Sequence, residues 1–263
     1  ELASGISVQM QPCLELRGRD LAAFPCEMYY TSGSTGEPKA LQLSHEMVLC
    51  HALACVSEHR FSQLDVWLHA APMYHLVDAF AMFSLSVVGG THVFLPGQFN
   101  PEKLLNVLET YKITSTNLAT SMMALILAAP CATSLDGCFP NLRLISCGGA
   151  PLGKELMLRA QRLFGCEFFQ SYGMTECCGK ISLSLLGAEQ REQPLAEQVK
   201  MLCSSGRPFE AINVRVVDVH SRNLTARDGQ NVGEVEVRGR SVFNGYLPPL
   251  SNVGDDLIRH EHF

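Results

Sequence analysis

The chain has 263 residues, 47% hydrophobic and 17% charged, with a formal charge of −6, which is too apolar for a disordered tail and lacks the short repeat of a fibrous rod. Its length provides for one large domain or two modest ones around a buried core. The acidic balance excludes a general positive field for nucleic acid or anionic lipid and leaves room only for a local basic pocket.

The chain begins at Glu1 rather than Met and reads as a processed product or a piece of a longer protein. No basic segment followed by an apolar run stands near its start, so no signal peptide is read there. Residues 26–30 (CEMYY) predict a strand, followed by a Gly/Ser/Thr loop and a helix from Ser44 on which Leu49, Leu53 and Val56 share a face. Strands are predicted over 66–70 and 91–95, and Asn100-Pro101 supplies the N-cap and first-turn proline of a helix carrying Leu104, Leu105 and Leu108. Residues 113–117 predict a strand and lead into an apolar helix through Ala129. The most apolar run, 122–132, is far shorter than the roughly 20 residues that span a bilayer, and it contains Pro130. A strand over 142–147, a helix over 151–164 with Leu156, Ala160 and Leu163 inward, and a strand over 166–170 complete the series. This alternation predicts a layered α/β architecture over residues 1–186. Beyond it, 187–200 is polar and loop-like. Val214, Val216 and Val219, then Val235 and Val237, alternate around the turn residues Asp228-Gly229, so residues 187–263 predict a small antiparallel β unit.

The eleven cysteines are odd in number and form no C-x-x-C pair. Buried reduced thiols explain them better than a disulfide framework and point to a reducing compartment, the cytoplasm or an organelle lumen. His51, Cys55 and His59 recur every four residues on one helix face, but no fourth ligand accompanies them, so they read as core rather than as a metal site. Cys177-Cys178 reads as incidental beside a stronger motif, and His260-Glu261-His262 as a solvated end.

The strongest local signal is the segment from Thr31 to Lys39, TSGSTGEPK, directly after a predicted strand. Glycines let backbone N–H groups turn inward, hydroxyls add donors, and Lys39 adds a compact positive charge, which together suit a polyphosphate. It is not a Walker A loop: counted from Gly33, Pro38 replaces the second glycine and Ala40 the hydroxyl residue. Read by itself, the same segment also fits a plain surface turn of small residues.

From Tyr30 to Lys39 the sequence resembles the phosphate-binding signature of the adenylate-forming superfamily, which contains acyl-CoA synthetases, luciferases and adenylation domains. Four further segments match in order. Pro72-Met-Tyr-His75 resembles the acyl-pocket motif, Gly148-Gly-Ala-Pro151 the adenine-side turn, and Ser171-Tyr-Gly-Met-Thr-Glu176 the nucleotide and metal motif. Residues 233–239 (GEVEVRG) with Gly245-Tyr246 resemble the strands before the ribose-binding motif.

The resemblance implies ATP, Mg²⁺ and coenzyme A as ligands and a carboxylic acid, fatty or other, as substrate. Under it, Thr31, Ser32, Gly33, Ser34, Thr35, Gly36 and Lys39 hold the β and γ phosphates. Gly148, Gly149 and Ala150 border the adenine, with Ser171, Tyr172 and Gly173 beside it and Tyr172 stacking on the base. Thr175 reaches the α-phosphate, Glu176 binds Mg²⁺, and His75 orients the carboxylate. Met122, Met123 and the apolar residues near Phe80 are candidates for an acyl pocket, although helix-spaced methionines equally suit plain core. Asp255, Asp256 and Phe263 fit the lead-in to the family's Thr-Gly-Asp ribose motif, which does not follow, and the small C-terminal lid domain is not found. The sequence thus reads as the middle of an acid–thiol ligase, with weak nucleotide binding and little turnover expected of it alone. The competing readings are an inactive nucleotide- or acyl-binding module and the adenylation domain of a multi-domain synthetase.

Overall fold

Strands alternating with helices must bury apolar faces on both sides of a sheet, and they do so here. The computed structural model describes residues 21–32, 38–132, 137 and 139–247. Strands β1 (Pro25–Ser32) and β2 (Pro38–Ser44) form an antiparallel hairpin that leads into α1 (His45–His59). There follow β3 (Val66–His69), α2 (Leu76–Val87), β4 (Thr91–Phe94), α3 (Pro101–Thr110), β5 (Ser115–Ala119) and α4 (Thr120–Ala128). Next come β6 (Leu144–Gly148), α5 (Lys154–Phe164), β7 (Glu167–Met174) and β8 (Gly179–Leu183). The last elements are α6 (Ala188–Arg191), α7 (Leu195–Leu202), β9 (Arg207–Pro208), β10 (Asn213–Val217), β11 (Glu234–Arg238) and β12 (Tyr246–Leu247).

The main sheet has the order β4-β3-β5-β6-β7-β8-β9. Its first five strands are parallel, β8 runs antiparallel to β7, and the short β9 runs antiparallel to β8. The crossover helices cover its faces, and the fully enclosed Trp67, Leu118, Phe164 and Phe169 sit in the core between. Burying a side chain of that size contributes roughly 1.5–3 kcal/mol. Two small antiparallel sheets accompany the main one: β1-β2-β12, and β10-β11 in the register Val214↔Val237 and Val216↔Val235.

Three expectations need correction. Ser44 is indeed the N-cap of α1, accepting from Met47 N at 3.3 Å, but Leu49 and Leu53 lie on its outer face, each 50% exposed. The inward stripe is Val48, His51, Ala52, Cys55 and His59, so the interior accepts histidines that a search for leucines passes over. The stretch read as loop over 187–200 contains α6 and begins α7. Its Ala, Glu, Gln, Lys and Leu are good helix formers, and only Val199 and Leu202 of α7 are buried, which leaves little apolar periodicity to detect. Strand β2 was also missed, although Leu41 and Leu43, both fully buried, carry a period-two signal.

Candidate active site

The parallel strands β3, β5, β6 and β7 end at one edge of the main sheet, and the turns leaving them surround a cleft of about 460 Å³. The carboxyl ends of such strands are where open α/β sheets bind ligands. Ala71, Pro72 and His75 come from the turn after β3, Thr120 and Ser121 from the start of α4, and Gly148, Gly149 and Ala150 from the turn after β6. Ser171, Gly173, Met174 and Thr175 come from the end of β7 and the turn beyond it.

Each wall has a local physical cause. Asp78, in the first turn of α2, accepts from Trp67 Nε1 at 2.9 Å and from the Ala71 amide at 3.2 Å, which fastens the turn carrying His75. His75 is the N-cap of α2 but makes no side-chain cap, and its exposed ring turns toward Tyr74, 4.6 Å away between centroids. Gly149 has φ +86°, a left-handed turn that favours glycine. Gly173 lies so close to the next strand that a Cβ there would stand 2.0 Å from the Gly179 carbonyl oxygen. Thr120 Oγ1 donates to the Ala150 carbonyl at 3.1 Å and ties the glycine turn to α4.

Beside the cleft lies a second group. Thr31 and Lys39 pair across the β1–β2 hairpin, with Thr31 Oγ1 donating to the Lys39 carbonyl at 3.5 Å. Lys39 Nζ stands 5.2 Å from the centre of the Tyr246 ring. Tyr246 in turn donates from Oη to Glu176 Oε1 at 2.7 Å. The base of the hydroxyl-rich loop and the carboxylate of the 171–176 motif are therefore neighbours. Glu176 Oε2 has no hydrogen-bond partner among the described residues, and a single hard carboxylate oxygen suits Mg²⁺, which takes most of its other ligands from water and from the phosphates of a bound nucleotide.

The structure thus gathers His75, Gly148, Gly149, Ala150, Ser171, Gly173 and Thr175 around one cleft and sets Thr31, Lys39 and Glu176 next to it. The backbone of Ser32 pairs with that of Pro38 at the hairpin mouth. Gly33, Ser34, Thr35 and Gly36 lie outside the described residues, as do Asp255, Asp256, Phe263 and the 260–262 run. Tyr172 differs from its neighbours: half-buried, it packs against the main core, and it is not among the residues that line the cleft. The acyl-pocket candidates Met122, Met123 and Phe80 are core residues at 8%, 0% and 2% exposure and do not line the cleft.

No motif singles out Lys180, a buried residue at the cleft floor. Its Nζ donates to Ser146 Oγ at 2.7 Å, lies 3.4 Å from His59 Nε2, and stands 4.0 Å from the centre of the Phe80 ring. Burial pushes this amine down to about 7. His59 Nδ1 donates to the Cys55 carbonyl at 3.0 Å, which leaves Nε2 as the acceptor facing the lysine. His51 Nε2 donates to the Lys180 carbonyl at 2.9 Å, and burial lowers its ring to about 4. The helix-spaced His51, Cys55 and His59 are therefore spent on internal hydrogen bonds. Cys177 is buried as well, and burial pushes its thiol up to about 12.

Five parallel strands flanked by helices, with a glycine-turn cleft at their carboxyl ends, make this a ligand-binding layered α/β fold. Residues 17–247 match the AMP-binding enzyme family, and the chain belongs to that family of adenylate-forming ligases. It is 30% identical to a probable CoA ligase of Humulus lupulus, over 85% of this chain and 39% of that protein. It is also 30% identical to a long-chain-fatty-acid–CoA ligase of Thermus thermophilus, over 84% and 40% of the two. The chain spans about two fifths of the length of these curated relatives. Among solved structures, ATP-bound MatB from Rhodopseudomonas palustris superimposes with a TM-score of 0.72 at 26% identity, over 86% of this chain and 41% of that one. O-succinylbenzoate coenzyme A synthetase from Bacillus subtilis, in complex with ATP and magnesium ion, does so with a TM-score of 0.69 at 26% identity, over 84% and 42%. Among the described residues no helix is long and apolar enough to cross a membrane.

Proposed function

We propose that this chain forms the nucleotide- and acid-binding part of an ATP-dependent acid–thiol ligase. A carboxylate attacks the α-phosphorus of ATP, forming an acyl–phosphate bond and expelling pyrophosphate. The thiol of coenzyme A then attacks the acyl carbon and releases AMP. The observation that carries this reading is the meeting of the hydroxyl-loop hairpin, through Lys39, with Glu176 beside a cleft at the strand ends.

The protein's part in such chemistry is mostly positioning and charge neutralisation. Lys39, Thr31 and Ser32, with the loop from Gly33 to Gly36, take the β and γ phosphates; Thr175 takes the α-phosphate; and Glu176 takes the magnesium, which when bound neutralises charge on the phosphate oxygens. The glycine turn of Gly148, Gly149 and Ala150 borders the adenine, with Ser171 and Gly173 across from it and Tyr172 at its edge. His75, exposed at the mouth of the cleft, orients the carboxylate. Ala71, Leu76, Val77 and Met174 give the cleft apolar walls, which favours an acid with an apolar tail. Named relatives act on acids as different as 2-succinylbenzoate and long-chain fatty acids, so the class proposed is an apolar carboxylic acid, fatty or aromatic.

Acid-dependent exchange of pyrophosphate into ATP, run with a panel of carboxylic acids, tests this. Exchange with apolar acids supports the ligase. ATP binding without exchange for any acid, in this chain and in a longer form of the protein, would leave a binding module instead.

A further inference from the structure

The segment after β11 reaches back to both halves of the site. Phe243 N donates to the Glu176 carbonyl at 2.7 Å, and Ser241 O accepts from Cys178 Sγ at 3.3 Å. Three residues on, β12 pairs with β2 in the register Tyr246↔Leu41 and Leu247↔Ala40. Tyr246 is therefore held by the strand that carries Lys39 and held also, through Phe243, to the turn that carries Glu176. Its side chain repeats that bridge, with the hydroxyl 2.7 Å from Glu176 Oε1 and the ring centre 5.2 Å from Lys39 Nζ.

We propose that Tyr246 is the positioning residue of this site. Its phenol holds one oxygen of Glu176 and leaves the other for a divalent cation, while its ring seats the Lys39 ammonium. This rests on the ligase reading above and adds a residue to it. The physical case is that a half-buried carboxylate with one anchored oxygen loses less rotational freedom when a cation arrives. Donors behind metal-binding carboxylates typically change metal affinity by about 10–100-fold. A ring face within about 6 Å of an ammonium attracts it modestly. One side chain thereby sets the spacing between the cation's ligand and the phosphate lysine, which lie far apart in sequence.

The test is binding on the 263-residue chain. Mn²⁺ affinity in the presence of ATP is read by electron paramagnetic resonance, and ATP affinity with and without a chelator by calorimetry. Tyr246→Phe keeps the ring and the backbone pairing of β12. It is expected to weaken Mn²⁺ binding about tenfold while metal-free ATP binds within about twofold of the parent. Tyr246→Leu is expected to weaken metal-free ATP as well, by about threefold. Adding Tyr246→Phe to Glu176→Gln is expected to cost no further Mn²⁺ affinity, because the two act as one unit. Unchanged Mn²⁺ affinity in Tyr246→Phe overturns the inference and leaves the ligase reading standing. Equal losses with and without metal, or additive losses in the double variant, overturn it too, since a merely structural tyrosine behaves that way. A parent chain that binds no ATP under either condition sinks the ligase reading and this inference with it.

Discussion

The cleft and the cluster behind it contain the same kinds of side chain used in opposite ways. Around Lys180, an amine, two imidazoles and a serine hydroxyl are enclosed, and each finds a neighbour: Lys180 with Ser146, His59 with Cys55, His51 with the Lys180 carbonyl. Around the cleft, His75 caps no helix by its side chain, and one oxygen of Glu176 is without a hydrogen-bond partner among the described residues. The enclosed set is spent on the fold, because a buried polar group without a partner costs about 1–3 kcal/mol. The open set can be left incomplete because solvent, and then a ligand, completes it. Residue type alone does not distinguish the two; what decides is whether other groups already fill the hydrogen-bonding capacity.

Substitutions can break this contrast. The largest stability effect is expected at the floor of the cleft: Gly173→Ala drives a Cβ into the Gly179 carbonyl and should cost about 4 kcal/mol or more in chemical denaturation. Lys180→Ala should cost about 2–4 kcal/mol by the same measurement, because it opens a cavity and leaves the buried His59 Nε2 without its donor. Lys180 also gives a pH signature. Its folded value of about 7 lies below the roughly 10.4 of an unfolded lysine. The unfolded chain therefore binds more protons between those values, and stability should rise with pH from about 7 to 10, by at most about 1.4 kcal/mol per pH unit. Denaturation midpoints measured across that range should lose this slope in Lys180→Met. His51, lowered to about 4, has the same sign in a different window, so stability should also fall as pH drops from about 6.5 toward 4.

Front-side changes should barely move stability and should instead move ligand behaviour. Lys39→Ala is expected to shift the melting midpoint little while weakening ATP binding about tenfold or more, read by calorimetry. His75→Ala, which removes an exposed ring with no side-chain hydrogen bond, is expected to shift stability by less than about 0.5 kcal/mol. It should slow acid-dependent exchange about tenfold or more. A front-side variant that unfolds the chain, or a Lys180 variant that alters ATP affinity without altering stability, would reverse the contrast drawn here.

Much of this arrangement was legible in sequence because it rests on local rules. Asn100-Pro101 announced a helix start, and Asn100 does accept from Lys103 N at 3.0 Å. The alternation of Val214 and Val216 against Val235 and Val237 announced an antiparallel pair and yields one. The order of the motifs located the turns that surround the cleft. Illegible were α7, whose apolar side is only two buried residues wide, and the inward face of α1, where histidines and a cysteine replace the aliphatic pattern. Tyr172 was read as a ligand residue from its motif, and its half-buried packing against the core depends on neighbours distant in the chain.

By itself, the sequence determined the α/β alternation, the family and the chemical type of its loops, because hydrophobic period, capping and glycine placement act over a few residues. Only the tertiary structure decided that Lys39, Tyr246 and Glu176 meet and that Lys180 is buried at the cleft floor. Those outcomes depend on strand order and register across more than a hundred residues, where no local preference reaches and the packing of the whole sheet chooses the neighbours.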